Sequence, residues 1–369
     1  MEKNTADIKL TSPRIPAIDA LRGVAVVLMV QQHLGVWLWD HAGKSVNAAF
    51  SDYPWYIIIN WLGNLAAPLF VVLAGVGTVL FENRHEHPDK SFMVRGGIIL
   101  LFGYGLNILC PHWFSLSAWY VLHLIGFALA LTPLFRRLPD ITLLPLVLLL
   151  TALAAMVQTC LNTPLYLSNK HMGSAGLLWH ALAVGHFPVL PWCGFFLLGI
   201  LLGRWLKREK YNPMIILALF FIGAAATLGF LHRSGFAFAT YGYFYRLFVL
   251  IPYFYPPLPP FILLLMGVTA LLFFFFSGAL TPEKPVTHSL SRANCRLAPL
   301  GRLPLTILIG HAVIFNELFR FLGLHGVFTA PVAVLIIALT LLCLMTMASL
   351  WRVYGFKYSL EWLMRKVSG

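Results

Sequence analysis

IPAIDALRGVAVVLMVQQHLGVWLW, residues Ile15 to Trp39, decides the fold class. It is apolar for longer than the roughly 20 residues a helix needs to cross the hydrocarbon core of a bilayer. It also carries Asp19 and Arg22 near its start and Gln31, Gln32 and His33 in its second half. A secretory leader would have a shorter apolar run and end in a small-x-small cleavage site. The stretch is therefore expected to stay attached as a first membrane span.

The rest of the chain repeats the pattern. Further apolar windows fall near 55–81, 92–110, 116–135, 141–161, 188–206, 213–231, 260–280, 303–321 and 328–351. The 369 residues are 59% hydrophobic and only 11% charged, with a mean hydropathy of +0.81, outside the range of soluble domains. The expectation is an all-α polytopic integral membrane protein of about ten helices, forming one domain over 1–369 with both termini on one side. Of the 26 Lys and Arg, 21 fall on that side, and only Lys44, Lys170, Arg233, Arg246 and Arg320 fall on the other. The positive-inside bias makes the termini cytoplasmic. A net charge of +13 thus reports topology; nucleic acid is not an expected partner, because the basic residues lie between spans rather than on one soluble face.

The connections differ in character. Residues 40–54, 162–187 and 232–259 form long outer loops rich in aromatics and histidine, and YGYFYRLFVLIPYFYPPLPP (Tyr241–Pro260) reads as an interfacial or re-entrant element. Residues 281–302 form a cytoplasmic loop. The five cysteines lack ligand spacing and read as small core hydrophobes. Glu82 to His87 is metal-like in composition, but Arg84 stands among the candidate ligands and HExxH spacing is absent. No metal is expected, and no GxSxG elbow, P-loop or dinucleotide fingerprint occurs.

At 100° per residue from Asp19, Arg22 falls at about 300°, His33 at about 320° and Trp37 at about 0°. Gln32 and Gln31 fall at about 220° and 120°. Asp19, Arg22 and His33 therefore share one stripe, with Arg22 and His33 roughly 16 Å apart along it. An ionisable group at membrane depth is costly and normally faces the bundle interior or a wet cavity. The stripe either lines a substrate path, or consists of an i,i+3 ion pair and a hydrogen-bonded interhelical histidine.

The segment RIPAIDALRGVAVVLMVQQH (Arg14–His33) resembles the opening helix of the transmembrane acyltransferase superfamily, in its heparan-alpha-glucosaminide N-acetyltransferase-like branch of bacterial type. The blocks NLAAPLFVVLAG (Asn64–Gly75), WYVLHLIGFAL (Trp119–Leu129), FPVLPWCGFFLLGILLGR (Phe187–Arg204), PLGRLPLT (Pro299–Thr306) and YSLEWLMR (Tyr358–Arg365) are similar to the family in the same order. The resemblance covers most of 14–205 and returns over 296–369. It implies transfer of an acetyl group from cytoplasmic acetyl-CoA to an amine or hydroxyl of a sugar or glycan outside the inner (plasma) membrane. A homodimer is compatible with it.

On this reading His33 acts as general base or as nucleophile, with Asp19 and Arg22 in its stripe. His41 is the nearest match to the family's loop histidine. Arg22, Arg95, Arg204 and Arg302 at inner helix ends are the cations for polyanionic CoA, joined by His123 and His311, each of which has a structural reading as well. Asn60 and Asn64 would orient the acceptor or bond helix to helix, and Trp192 would stack on a sugar or anchor at the interface. Gly199 and Gly203 form a GxxxG pattern suited to close helix packing. The competing class is a proton-coupled transporter or flippase using the same stripe as a relay.

Overall fold

The computed structural model describes residues 15–40, 52–82, 88–165, 177–251, 254–278 and 296–368. Among the described residues ten apolar helices follow one another: α1 (Pro16–Leu38), α2 (Pro54–Glu82), α3 (Pro88–Leu109), α4 (Val121–Ala130), α5 (Asp140–Cys160), α6 (Val189–Lys207), α7 (Asn212–Arg233), α8 (Pro259–Gly278), α9 (Pro304–Phe321) and α10 (Ala330–Val353). All but α4 are long and apolar enough to cross a membrane. A short amphipathic helix, α11 (Leu360–Ser368), follows. No strand occurs among the described residues; Trp39 and Phe328 form an isolated parallel bridge.

The ends of these helices follow from local sequence. Proline occupies one of the first two positions of α1, α2, α7, α9 and α10, where its missing N–H would lack a helical partner in any case. α2 tightens to a 3-10 turn at Gly63–Leu65, and α9 widens to a π-turn at Val313–Leu318. After α10, positive φ at Gly355, Phe356 and Tyr358 reverses the chain, so that α11 turns back against α3 and the start of α9.

The window 116–135 differs from its expectation. It folds as α4 and a single turn, Thr132–Phe135, separated at Leu131. Pro133 has no N–H to give the carbonyl four residues back and its ring crowds that carbonyl, which accounts for the break just before it. Residues 121–135 rise only about 22 Å, short of a bilayer core of about 30 Å. Even so, the segment joins two faces. At one end the Trp119 indole donates to the Phe187 carbonyl at 3.1 Å; at the other Arg136 pairs with Glu82 at 3.1 Å and Asp89 at 3.3 Å.

Two hydrophobic cores fill the bundle. One centres on α6, whose Phe195, Phe196 and Leu198 are buried among α2, α5, α7 and α8. There Gly199 lies against the backbone of α2: a Cβ on it would stand 2.1 Å from the Val72 carbonyl oxygen. Gly203 meets Val76 and Val79 in the same groove. The GxxxG pattern therefore packs α6 on α2 within the chain. The second core gathers Val26, Val30 and Leu34 of α1 with Ile307 and Leu308 of α9, Ala333 and Ile337 of α10, and Phe114 and Tyr120 before α4. Of the cysteines, Cys110 and Cys193 are buried, whereas Cys160 and Cys343 face outward; Cys295 lies outside the described residues.

Candidate active site

His33, in the second half of α1, meets His311 of α9. Nδ1 of His33 and Nε2 of His311 are 2.9 Å apart. The ring planes differ by 5° and the centroids lie 5.2 Å apart, so the rings are coplanar and bonded edge to edge. His311 Nδ1 lies 2.6 Å from the Ile307 carbonyl oxygen one turn back. A carbonyl only accepts, so this nitrogen carries the proton. In a neutral imidazole the other nitrogen is then an acceptor, and His311 Nε2 receives the Nδ1–H of His33. The series leaves a lone pair on His33 Nε2. Backbone geometry in α9 thus selects the tautomer of a residue on α1.

The pair sits in an aromatic wall. Trp37, one turn after His33, lies 5.2 Å from its ring at 28°, and Trp113 meets it edge-on at 4.8 Å. Trp37 and Trp113 also meet edge-on. His311 is buried, and His33 is half-buried.

The stripe of α1 lies along the approach to α9. At its first end, Asp19 accepts from Arg22 at 2.8 Å, and the turn before α9 closes on it so tightly that a Cβ on Gly301 would stand 1.8 Å from the Asp19 carbonyl oxygen. At its far end stands His311. The other two polar residues of the patch face α2: Gln31 donates to the Ile59 carbonyl at 2.8 Å, and Gln32 donates to Asn64. The helical wheel had separated these roles.

The remaining candidates divide. Arg302 lies over the Phe356 ring at 3.9 Å, and Arg95 donates to Ser368 at 2.9 Å while covering the Phe81 ring at 4.0 Å. Both basic groups are thereby gathered onto the C-terminal segment at the Arg22 face. Arg204 is apart from them: it binds Asp140 at 2.8 Å and the carbonyls of Leu138 and Arg136 at 2.7 and 2.8 Å, clamping the turn between α4 and α5. Asn64 is engaged with Gln32, and Asn60 packs its amide against Gly35, so both amides face α1. His123 accepts from the Tyr120 N–H at 3.3 Å and is packed among Tyr104, Trp119 and Tyr120. Trp192 is fully enclosed by Phe187, Phe195 and Phe254; it is placed neither to stack on a sugar nor to sit at a lipid interface. His41 lies outside the described residues, as do the last five residues, 83–87, of the metal-like loop.

Sequence reasoning did not find Trp113, the π-turn or Glu361. Glu361 of α11 accepts from the N–H groups of Leu305 and Thr306 at 2.6 and 3.0 Å and from the Thr306 hydroxyl at 2.6 Å. Its block YSLEWLMR stands out in the sequence, but nothing there names its partner.

Comparison with protein families gives a match to the heparan-alpha-glucosaminide N-acetyltransferase catalytic domain over residues 14–238, more than half of the chain. The range contains α1 to α7 and ends before α9. No curated protein matches the chain. With its all-helical, membrane-crossing architecture, the chain belongs to the heparan-alpha-glucosaminide N-acetyltransferase family and carries a transmembrane catalytic domain of the acetyltransferase type.

Proposed function

We propose that this protein moves an acetyl group from acetyl-CoA, held at the Arg22 face, to an amine or hydroxyl of a sugar or glycan, with His33 Nε2 as the reacting atom. The observation that carries this reading is the series Ile307 carbonyl, His311, His33, which leaves a directed lone pair at membrane depth inside an acetyltransferase-type protein. The positive-inside distribution of Lys and Arg makes the Arg22 face cytoplasmic. The acceptor then reacts on the far side of an inner (plasma) membrane, and Arg22, Arg95 and Arg302 offer charge to the donor's phosphates.

Two routes use the same atom. In direct transfer, Nε2 takes the proton of the acceptor N–H or O–H as that atom bonds to the thioester carbon; the C–S bond breaks and the leaving thiolate receives the proton. In the covalent route, Nε2 itself bonds to the acyl carbon and the thiolate leaves; the acceptor then displaces the imidazole, and its proton passes by way of the freed Nε2 to the thiolate. Positive charge develops on His33 in both, and the Nδ1–H bond to His311 shares it.

Labelled acetyl-CoA presented to the protein in nanodiscs, with glucosamine as acceptor, is the test. Acetylated glucosamine is expected, and His33→Ala should lower its formation by about 10²–10⁴-fold, the usual contribution of a positioned acid–base group. Undiminished transfer by that variant overturns the assignment. A hydroxylamine-labile acetyl group on His33 selects the covalent route.

A further inference from the structure

α9 begins with Pro304, which has no N–H, and its N-cap residue Leu303 offers no capping side chain. The first exposed donors of the helix are the N–H groups of Leu305 and Thr306. Both go to one oxygen of Glu361, while the Thr306 hydroxyl goes to the other. The Leu360 N–H in turn donates to the Thr306 hydroxyl oxygen at 3.0 Å. The cap of α9 is therefore supplied by a residue 55 positions away in sequence, on a helix that also touches α3. Glu361 is buried, and a carboxylate at a helix N-terminus is favoured by the helix dipole as well as by its hydrogen bonds.

What this first turn holds gives the cap its importance. The Ile307 carbonyl, which fixes the proton on His311 Nδ1, belongs to the turn that Glu361 caps. We infer that Glu361 is a positioning residue for the acetyl-transfer site: by holding the first turn of α9 it fixes the Ile307 carbonyl, and through His311 it keeps the lone pair of His33 on Nε2. The inference rests on the proposed role of His33, and assigns to the C-terminal helix α11 a part in the chemistry of a site on α1.

The hydrogen-bond series makes this specific. If the first turn frays, His311 Nδ1–H loses its fixed acceptor and His311 becomes free to exchange tautomers. Its Nε2 then carries the proton part of the time. His33 Nδ1 must then accept rather than donate, which places the His33 proton on Nε2 and removes the lone pair.

Diethyl pyrocarbonate, which acylates the unprotonated nitrogen of imidazole, reads that lone pair without donor or acceptor. The full-length protein in nanodiscs is treated at fixed pH, and the ratio of His33 to His232 modification is taken by peptide mass spectrometry; His232, at the end of α7, serves as internal reference. Glu361→Ala should lower the ratio about two- to tenfold, what one neutral hydrogen bond is worth as an equilibrium. Glu361→Gln, which keeps an acceptor for the two N–H groups, should restore most of it. An unchanged ratio in Glu361→Ala overturns the inference, as does an equal loss in Glu361→Gln.

Should Glu361→Ala not accumulate, Thr306→Val removes the hydroxyl arm alone; a lowered ratio supports the inference and an unchanged one overturns it. Failure of acetyl transfer in all proteins, with a ratio that still follows residue 361, would sink the proposed function and leave standing only the control of the His33 lone pair by Glu361. Loss of transfer in His33→Ala with a ratio indifferent to residue 361 would do the reverse.

Discussion

Where α6 crosses α2, two backbones meet at glycine and the space between them is filled by Phe195, Phe196 and their neighbours. Where α1 meets α9, the apolar packing is joined by a hydrogen-bonded pair of histidines walled by two tryptophans. The first crossing is held by van der Waals contact and leaves no room for change. The second places titratable groups at a depth where they are costly, and it is stabilised by partners drawn from distant parts of the chain. The comparison separates a scaffold from a site: residues of the first kind are tolerant of chemistry and intolerant of volume, and residues of the second kind are the opposite.

Substitutions can break this contrast. The largest structural effect is expected from Gly199→Val, because its side chain would collide with the Val72 carbonyl; the variant should fail to accumulate, or melt well below the parent in detergent. A parent-like melting curve would mean that the α2–α6 crossing is looser than the geometry says. His311→Ala should do the reverse. It should melt closer to the parent than Gly199→Val yet lose about ten- to 150-fold in acetyl transfer, corresponding to about 1.5–3 kcal/mol for a hydrogen bond to the charge that develops on His33. Equal damage to melting and transfer would erase the distinction between the two regions.

A smaller effect sharpens the boundary between them. Gln32 lies beside His33 but bonds to Asn64 of α2. Gln32→Leu should cost stability of about 0.6–1.7 kcal/mol, the range of an interhelical hydrogen bond in a membrane, with transfer retained. Loss of transfer without loss of stability would move Gln32 into the site.

The smallest effect concerns pH. His325, in the connection between α9 and α10, is held below the ordinary imidazole value of 6.5 by burial first and by the neighbouring Arg320 second, with Glu317 opposing. The folded chain therefore binds its proton less readily than the unfolded chain. Its contribution to stability is present above pH 6.5 and declines as pH falls below that value. Amide exchange at Phe328, whose N–H donates to the Leu38 carbonyl at 3.0 Å, should quicken on acidification relative to amides of α6. Exchange that slows on acidification would reverse the sign.

Much of this was legible in the sequence for a physical reason. The α1 stripe appears on a helical wheel because a regular helix repeats every 3.6 residues, and the same wheel sent Gln31 and Gln32 away from His33. The partner of His33 did not appear, because 278 positions separate it from His311 and no local periodicity reports a long-range contact. α4 is expected as a full span because hydropathy measures composition and not rise, and the helix is interrupted at Leu131 without any break in the apolar run. Arg204 looked like a donor-binding cation until Asp140 and two carbonyls were seen to occupy it. Trp192 looked interfacial because tryptophan usually is, but Phe187 and Phe254 come from segments that sequence alone could not fold over it.

The π-turn at Val313–Leu318 has a further consequence. It holds one more residue than the α-helical turn it replaces. On the near side of it His311 is aimed at α1; within it Glu317 is aimed at His112, whose ring nitrogen lies 2.6 Å from its carboxylate, and beyond it the chain pairs Phe328 with Trp39. Because the widened turn absorbs its extra residue, deleting one residue here would restore a regular helix with the flanking segments close to their present orientation, and the side chain re-aimed would be that of Glu317, inside the turn. The extra residue thus lets α9 present Glu317 to His112 without turning His311 away from α1: the helix changes its aim locally and keeps its course.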